Sequence, residues 1–279
     1  MRTVSTRLGP LAVTISGDGP PAVFWHSLFI DSTSWARVLP DLARHRRIIA
    51  IDGPSHGRNP GVRARFGLAD CVGAAEDVLA QAGVVGAVDW VGNAMGGHVG
   101  ILFAAAHPDR VRSLVAIGTP TRALTPAERR SVTLLRWLYG ILGPAPVRRP
   151  LVAALIGPGA TPADAAVVAD AFSRAGRRGM FDAINWLSLA RPDLTPTLRG
   201  LVTPTLLTTN AEDSMWTVDA AAAAVADNAH AALALTPGRG HVGPLLQAPA
   251  ALASLVAEVW ADPAAAVRRH RAASTTADA

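Results

Sequence analysis

The sequence predicts an α/β protein in which a mostly parallel sheet carries helices on both of its faces. Short apolar runs alternate with stretches of helical periodicity over the first 120 residues, and the alternation resumes after residue 201. Such alternation is typical of consecutive strand–helix–strand units. Of the 279 residues 50% are hydrophobic and 17% are charged. The chain therefore has the composition of a folded protein with a large core, not of a disordered one.

The first part of the chain predicts five strands and three helices. Apolar runs place the strands at 11–16, 22–26, 47–52, 84–92 and 111–117, and helical spacing places the helices at 34–43, 68–82 and 96–106. His107-Pro108 ends the third helix, because proline cannot continue it. After residue 201 we expect a strand at 204–209, a helix at 218–227, a strand at 231–235 and a closing helix at 249–261.

Residues 121–201 have a different pattern. Four helical segments, at 126–142, 147–156, 162–175 and 180–190, are separated by proline and glycine, without the alternation expected of strands. This pattern predicts a helical insertion between two parts of one core, residues 1–120 and 202–262. Residues 263–279 contain mostly Ala, Arg, Ser and Thr, and we predict that this tail is disordered.

Charge and cysteine content exclude several classes of function. The formal charge is +5, but the basic residues are scattered arginines without interleaved aromatics, so nucleic-acid binding is not expected. No apolar run is long enough to cross a bilayer, and residues 1–13 lack the apolar core of a signal peptide, so we expect a cytoplasmic protein without a membrane partner. Cys71 is the only cysteine. The sequence contains no metal-ligand spacing, phosphate loop or dinucleotide fingerprint, and we expect no cofactor.

The segment 91–98, Val-Gly-Asn-Ala-Met-Gly-Gly-His, follows a predicted strand and begins a predicted helix. In this context the pattern G-x-S-x-G places a nucleophilic serine on a sharp strand-to-helix turn. Gly92 and Gly96 provide the space that such a turn needs, and the N–H of Met95 would point into an oxyanion hole. Ala94 occupies the serine position, and its methyl group cannot attack a carbonyl. Taken alone, the segment is also compatible with an ordinary tight turn before a helix.

Four other segments stand where a hydrolytic site would need them. His26-Ser27-Leu28-Phe29 follows an early strand, and residues 52–58, Asp-Gly-Pro-Ser-His-Gly-Arg, follow the next one. The predicted strand at 204–209 leads to Asp213, with Glu212 and Asp219 as competing acids. The segment 238–244, Gly-Arg-Gly-His-Val-Gly-Pro, places His241 after the last strand and before the last helix.

Taken together, these segments resemble the α/β-hydrolase superfamily over residues 9–261. The resemblance implies a helical cap inserted after the sixth strand, and a Ser-His-Asp order filled here by Ala94, Asp213 and His241. It also implies an oxyanion hole formed by the N–H groups of Leu28 and Met95. Ser27 replaces the usual glycine of the oxyanion loop, which is similar to enol-lactonase-like members.

The resemblance also suggests where a substrate would bind. Ser27, Phe29 and Val242 neighbour the expected reacting positions, and the aromatic residues of the insertion would either line an apolar pocket or pack the insertion onto the core; these are Trp137, Tyr139, Phe172, Phe181 and Trp186. Of these we take Trp137 and Trp186 as substrate-binding. His56 is interpreted as a hydrogen-bonded turn residue. The expected partner is a small, apolar carbonyl compound.

Ala94 admits three interpretations. In the first, the chain is a hydrolase of an ester, a lactone or a carbon–carbon bond next to a carbonyl, and it carries an inactivating Ser-to-Ala change. In the second, Ala94 is natural and His241 with Asp213 is the general base of a lyase, isomerase, cyclase or water-activating hydrolase. In the third, the protein binds a ligand without catalysis. The loop at 26–28 favours an ester or lactone substrate.

Overall fold

The computed structural model describes residues 1–62 and 64–277, with side chains as far as residue 273. Within these residues eight strands form one sheet in the order β1-β2-β4-β3-β5-β6-β7-β8. The strands are β1 (Arg2–Thr6), β2 (Gly9–Ser16), β3 (Pro21–Trp25), β4 (Arg47–Ile51), β5 (Val88–Asn93), β6 (Val111–Ile117), β7 (Thr205–Thr209) and β8 (Ala231–Leu235).

The sheet is mostly parallel, as the sequence predicts. Each neighbouring pair from β4 through β3, β5, β6 and β7 to β8 is parallel, whereas β1 pairs with β2 and β2 with β4 in antiparallel register. The sequence pattern did not predict β1. Only Val4 of this edge strand is buried, so the strand lacks the apolar run that identifies the inner strands.

Helices cover both faces of the sheet. Along β3, Val23 and Trp25 belong to the core on one face, and Ala22 and Phe24 belong to the core on the other. The helices are α1 (Leu39–Leu42), α2 (Leu68–Gln81), α3 (Met95–Ala106), α4 (Pro126–Leu142), α5 (Ala145–Ile156), α6 (Pro162–Arg174), α7 (Arg177–Ala183), α8 (Thr195–Arg199), α9 (Val218–Val225), α10 (Gly243–Leu246), α11 (Pro249–Ala261) and α12 (Pro263–Ala277).

The prediction of one helix at 34–43 is wrong. The chain forms a 3₁₀ turn, Ser32–Trp35, and then the four-residue α1. The Asp31 carboxylate accepts a hydrogen bond from the Thr33 N–H and caps the 3₁₀ turn, while Pro40 fits only near the start of a helix.

Helices α4 to α8 lie between β6 and β7, and local sequence explains where several of them begin. Thr125 with Glu128, and Thr161 with Asp164, form reciprocal capping boxes at the first residues of α4 and α6. The helix predicted at 180–190 is α7 followed by a π-helical turn, Ile184–Leu189. Two ion pairs join α6 to the stretch between β3 and α1. Arg174 contacts Asp31 at 2.7 Å, and Asp164 contacts Arg37 at 2.5 Å.

The predicted disorder after residue 262 is wrong for residues 263–277, which form α12. Alanine favours helix, and Ala266 and Val267 are buried against the core. The Arg271 side chain donates to the carbonyls of Val225, Asn228 and Ala231 at 3.3, 2.7 and 2.9 Å. Residues 278 and 279 of the predicted tail lie outside the described residues.

Within the described residues, no helix taken singly has both the length and the hydropathy that a bilayer crossing requires. The helices at 249–261 and 263–273 meet these criteria only as a pair, and they are bent by 120° from each other.

The strand order defines where a ligand site is expected. From β3 the chain crosses to β4 on one side, and from β4 it returns to β5 on the other side of β3. In such sheets a crevice opens at the carboxyl ends of the strands where the direction of winding reverses. Residues 26–29 follow β3, and residues 94 and 95 follow β5.

Because Arg271 binds three carbonyls at the α9–β8 turn, we expect Arg271→Gln to lower the free energy of unfolding by about 1–3 kcal/mol. Urea denaturation followed by circular dichroism measures this. Arg268→Gln, a change of an exposed arginine on the same helix, is the matched control and should leave stability within about 0.5 kcal/mol. Equal effects of the two substitutions would contradict the assigned role of Arg271.

Candidate active site

The turn between β5 and α3 is strained at one residue. Ala94 has φ 44° and ψ −101°, a conformation that residues with a side chain rarely adopt. Its N–H donates to the Ile117 carbonyl at 2.8 Å, and the Gly96 N–H donates to the His26 carbonyl at 3.1 Å. A Cβ atom on Gly92 would collide with the backbone of Gly96, and one on Gly96 with the carbonyl of Trp25. The two glycines therefore permit the sharp turn that the sequence motif indicates.

Asp213 and His241 lie in contact. The His241 Nδ1 atom is 2.9 Å from Asp213 Oδ2 and 3.2 Å from Oδ1, and the two side chains are 6% and 1% exposed, respectively. Asp213 Oδ1 also accepts hydrogen bonds from the N–H groups of Met215 and Trp216 at 2.9 and 3.1 Å. This fixed carboxylate orients the imidazole ring and leaves Nε2 as the nitrogen that a ligand can reach.

The competing acids lie elsewhere. Glu212 is exposed and pairs with Arg239 at 2.9 Å, and Asp219 is exposed in the first turn of α9. Asn93, next to the strained turn, donates from Nδ2 to the Ile117 carbonyl at 3.0 Å and weakly to the His241 carbonyl at 3.5 Å. The loop that carries His241 is thereby linked to the end of β5.

The loop after β3 is held by a buried histidine. His26 Nε2 accepts a hydrogen bond from the Gly53 N–H at 2.8 Å, so Nδ1 carries the proton and donates to the Ser27 carbonyl at 2.7 Å. Burial lowers the pKa of His26, and the ring is neutral. Phe29 has φ 74°, which reverses the chain directly after Leu28. The Ser27 hydroxyl donates to the Leu28 carbonyl at 3.3 Å.

His56 lies in the loop after β4, and its ring centroid is 5.0 Å from that of His26. Its Nδ1 donates to the Pro54 carbonyl at 2.8 Å, in keeping with a turn residue. Burial, with a smaller effect from His26, lowers the pKa of His56 to about 3.

A cavity of about 680 Å³ opens where these loops meet. Ser27, Leu28, Ala94, Met95 and His241 all line it, so the structure brings the expected reacting positions together. Met95 is the first residue of α3, and its N–H has no helical acceptor before it. The opposite wall is mainly apolar and comes from the helices after β6, with Val132, Leu135, Val147, Leu151, Leu155 and Leu187.

The residues predicted to contact a substrate lie in different places. Phe29 lines the cavity and packs edge-on against Phe172 at 5.9 Å between ring centroids. The prediction is wrong for Trp137, which is 52% exposed and packs edge-on against Phe181 outside the cavity. It is also wrong for Trp186, which packs on the core under the guanidinium of Arg65.

Val242 is the third residue for which this prediction is wrong. It is fully buried, and its N–H donates to the Leu155 carbonyl at 2.9 Å. Tyr139 and Phe172 are buried with their ring centroids 5.3 Å apart, so they pack the inserted helices.

Several polar residues of the cavity wall were missed, and the two most buried of them are His98 and Arg191. His98 lies one helical turn after Ala94, and Arg191 follows the π-helical turn. The short sequence 91–98 already included His98, but nothing distinguishes Arg191 from the other arginines of the chain.

Comparison with known proteins agrees with this architecture. A family model described as the alpha/beta hydrolase fold matches residues 20–150. A thermophilic esterase from Thermogutta terrifontis superimposes with a TM-score of 0.86 at 21% identity, covering 94% of this chain and 98% of that one. The enol-lactonase from Burkholderia xenovorans LB400 superimposes with a TM-score of 0.85 at 19% identity, covering 94% and 100%. The fold and the resemblance predicted from the sequence are confirmed.

A sequence relative is the 2-hydroxy-6-oxo-2,4-heptadienoate hydrolase of Pseudomonas putida, which is 35% identical over 113 residues. The match covers 39% of this chain and 37% of that protein. The chain therefore matches well under half the length of this relative.

The buried His56 generates a pH prediction. Its pKa is about 3 in the folded protein against 6.5 when unfolded, so between these values the unfolded chain binds a proton that the folded chain does not. Stability is therefore lost as pH falls below about 6.5, by about 2 kcal/mol from this group between pH 6.5 and 5.

We expect urea titrations at pH 7 and pH 5 to show a smaller loss of unfolding free energy for His56→Gln than for the unmodified protein. His45→Gln, at an exposed histidine, serves as the control and should retain the full pH dependence. The same pH dependence in all three proteins would be evidence against a neutral buried His56.

Proposed function

Because the protein has the α/β-hydrolase fold, we propose that its cavity is the site of an ester or lactone hydrolase of the Ser-His-Asp type whose nucleophile position is filled by Ala94. His241 is the base, Asp213 orients it, and the N–H groups of Leu28 and Met95 form the oxyanion hole. The chain as it stands forms no acyl-enzyme and is impaired in nucleophilic catalysis. The helices between β6 and β7 act as the cap over the site.

One observation carries this proposal: the buried His241–Asp213 contact lies at the same cavity as the strained turn at Ala94. A carboxylate that is 1% exposed and accepts two backbone N–H bonds is arranged to hold an imidazole, not to meet solvent. In Ser-His-Asp chemistry this pair removes the serine proton and later returns it to the leaving group. Only the hydroxyl is missing from that set.

The backbone geometry also supports the proposal. A nucleophile on such a turn needs its own residue in a strained conformation so that the side chain projects over the sheet edge. Ala94 adopts this conformation and is 6% exposed at the cavity. A serine Oγ would extend from the same Cβ into the cavity, next to His241.

We expect Ala94→Ser to raise hydrolysis of short-chain aryl esters and lactones at least about a hundredfold, since removing one member of such a triad costs about 10⁴-fold or more. Initial rates measured with 4-nitrophenyl acetate and a small lactone test this. Ala94→Gly is the matched control, because it changes the same residue without adding a hydroxyl. Adding His241→Ala to the serine variant should abolish the gain, and no gain with serine would overturn the proposal.

A second candidate function follows from the same pair of residues. General-base catalysis needs the His241–Asp213 contact and an oxyanion hole but no hydroxyl at residue 94. His241 Nε2 would remove a proton from the carbon next to a carbonyl, or from a water molecule that attacks it. The developing negative oxygen would accept hydrogen bonds from Leu28 and Met95. The unmodified chain would then be a lyase, isomerase, cyclase or direct hydrolase.

For this candidate we expect the unmodified protein to exchange the α-protons of a methyl ketone in D₂O, followed by proton NMR. His241→Ala should slow the exchange by about 10²-fold or more, and Asp213→Asn should slow it by less. Ketone binding without exchange, unchanged by either substitution, would favour the non-catalytic binding protein.

A further inference from the structure

Arg191 is a buried cation in the wall of the cavity. The residue is 8% exposed and lines the cavity together with His98, Arg122 and Glu128. A buried arginine is normally paired with a carboxylate, because an isolated charge in an apolar environment is costly. The partners of Arg191 are therefore informative about what the cavity is built to receive.

The hydrogen bonds of Arg191 go to backbone oxygens only. Its Nη1 donates to the Thr121 carbonyl at 3.3 Å, and its Nη2 donates to the Arg122 carbonyl at 2.7 Å. Over residues 1–62 and 64–273, no carboxylate forms an ion pair with it. Burial, with a smaller effect from the charge of Arg122, lowers its pKa to about 10, so it stays protonated at neutral pH.

The neighbouring cation, Arg122, is paired with a carboxylate. Arg122 makes two bonds to the Glu128 carboxylate, both at 2.7 Å. The charges of this pair cancel, and the cavity wall retains the single positive charge of Arg191. A guanidinium has five N–H groups, of which Arg191 uses two on the backbone, and its planar fork matches a carboxylate.

His98 shows that this corner lies near the reacting position. The His98 N–H donates to the Ala94 carbonyl at 2.9 Å, and the ring donates from Nε2 to the Pro120 carbonyl at 2.8 Å. Its buried Nδ1 has no protein partner, although the side chain lines the cavity. Burial, then the charge of Arg191 and that of His241, hold the pKa of His98 well below its usual value. The ring is therefore neutral, with Nδ1 as its acceptor nitrogen.

We propose that Arg191 binds a carboxylate of the substrate, so that the substrate of this site is a keto acid or an acid-bearing ester or lactone, with its carboxylate a few bonds from the reacting carbonyl. The inference rests on the proposed function, and it replaces the expected fully apolar substrate. The apolar wall contributed by the inserted helices then receives the remainder of the molecule.

Arg191 also contributes to stability, and the test must separate this contribution from ligand binding. Its bonds to residues 121 and 122 hold the start of the helical insertion, so removing the side chain also affects stability. A purely structural role predicts lower stability of the variant without any change in the preference for an acid over a neutral analogue.

The binding test uses the unmodified protein, isothermal titration calorimetry and two ligands of similar shape, 4-oxo-4-phenylbutanoate and its amide. We expect the acid to bind at least tenfold tighter, and Arg191→Gln to abolish this preference. Arg110→Gln is the matched control, because Arg110 also donates to two carbonyls, those of Gly86 and Val84. It should retain the preference.

Arg191→Lys keeps the charge but not the planar fork, and we expect it to retain part of the preference. This variant decides the matter if Arg191→Gln does not fold. Equal affinity of the unmodified protein for acid and amide, or an acid preference that survives in Arg191→Gln, would overturn the proposal.

A second measurement separates this inference from the proposed function. With the Ala94→Ser protein, monoethyl succinate should be hydrolysed with at least tenfold higher kcat/KM than diethyl succinate. Hydrolysis of both esters without that preference contradicts the role of Arg191 and leaves the hydrolase proposal standing. Tight, Arg191-dependent binding of the acid without hydrolysis of either ester contradicts the hydrolase and leaves the carboxylate site standing.

Discussion

The close approach of α3 to β3 and β5 is the constraint on which the site depends. At Gly96 the helix backbone lies against the Trp25 carbonyl, and at Gly92 the strand backbone lies against Gly96, with no space for a side chain at either residue. This contact forces the chain through the strained conformation of Ala94. It also brings the Gly96 N–H onto the His26 carbonyl, which connects the start of α3 to the loop that carries Leu28. The N–H groups of Leu28 and Met95 are thus positioned by backbone packing.

Buried histidines divide into two kinds around this contact. His26, His56 and His98 each donate a ring N–H to a backbone carbonyl, and burial lowers their pKa values, so they hold loops as neutral groups. His241 alone among the histidines of the site has a carboxylate partner. The His241 ring is therefore oriented by an acid, whereas the other three rings hold the loops in place.

Sequence patterns predicted the elements whose signals are local. The inner strands follow from continuous apolar runs, and the turn at Ala94 follows from two glycines at fixed spacing before a helix. The edge strand β1, the helix α12 and the missed residues of the cavity wall have no such signal. Arg271 stabilises α12 through carbonyls more than forty residues away, and Arg191 becomes informative only when its hydrogen bonds are known to go to backbone carbonyls and not to a carboxylate. The positions of Trp137 and Trp186 could not be predicted for the same reason, since tertiary contacts decide on which side an aromatic residue of an inserted helix packs.

The strain at Ala94 shows what determines the backbone conformation of this turn. Alanine gains nothing from the conformation it adopts, since its methyl group makes no bond to an oxyanion, a base or a ligand. The conformation persists because the hydrogen bonds of Ala94 and Gly96 and the packing of Gly92 and Gly96 determine it, independently of the side chain at residue 94. A different side chain at residue 94 is therefore expected to leave His241, the N–H groups of Leu28 and Met95 and the guanidinium of Arg191 in position. For the proposed hydrolase, substrate recognition and nucleophilic attack are therefore separable, because buried backbone and charge fix the first and a single oxygen atom supplies the second.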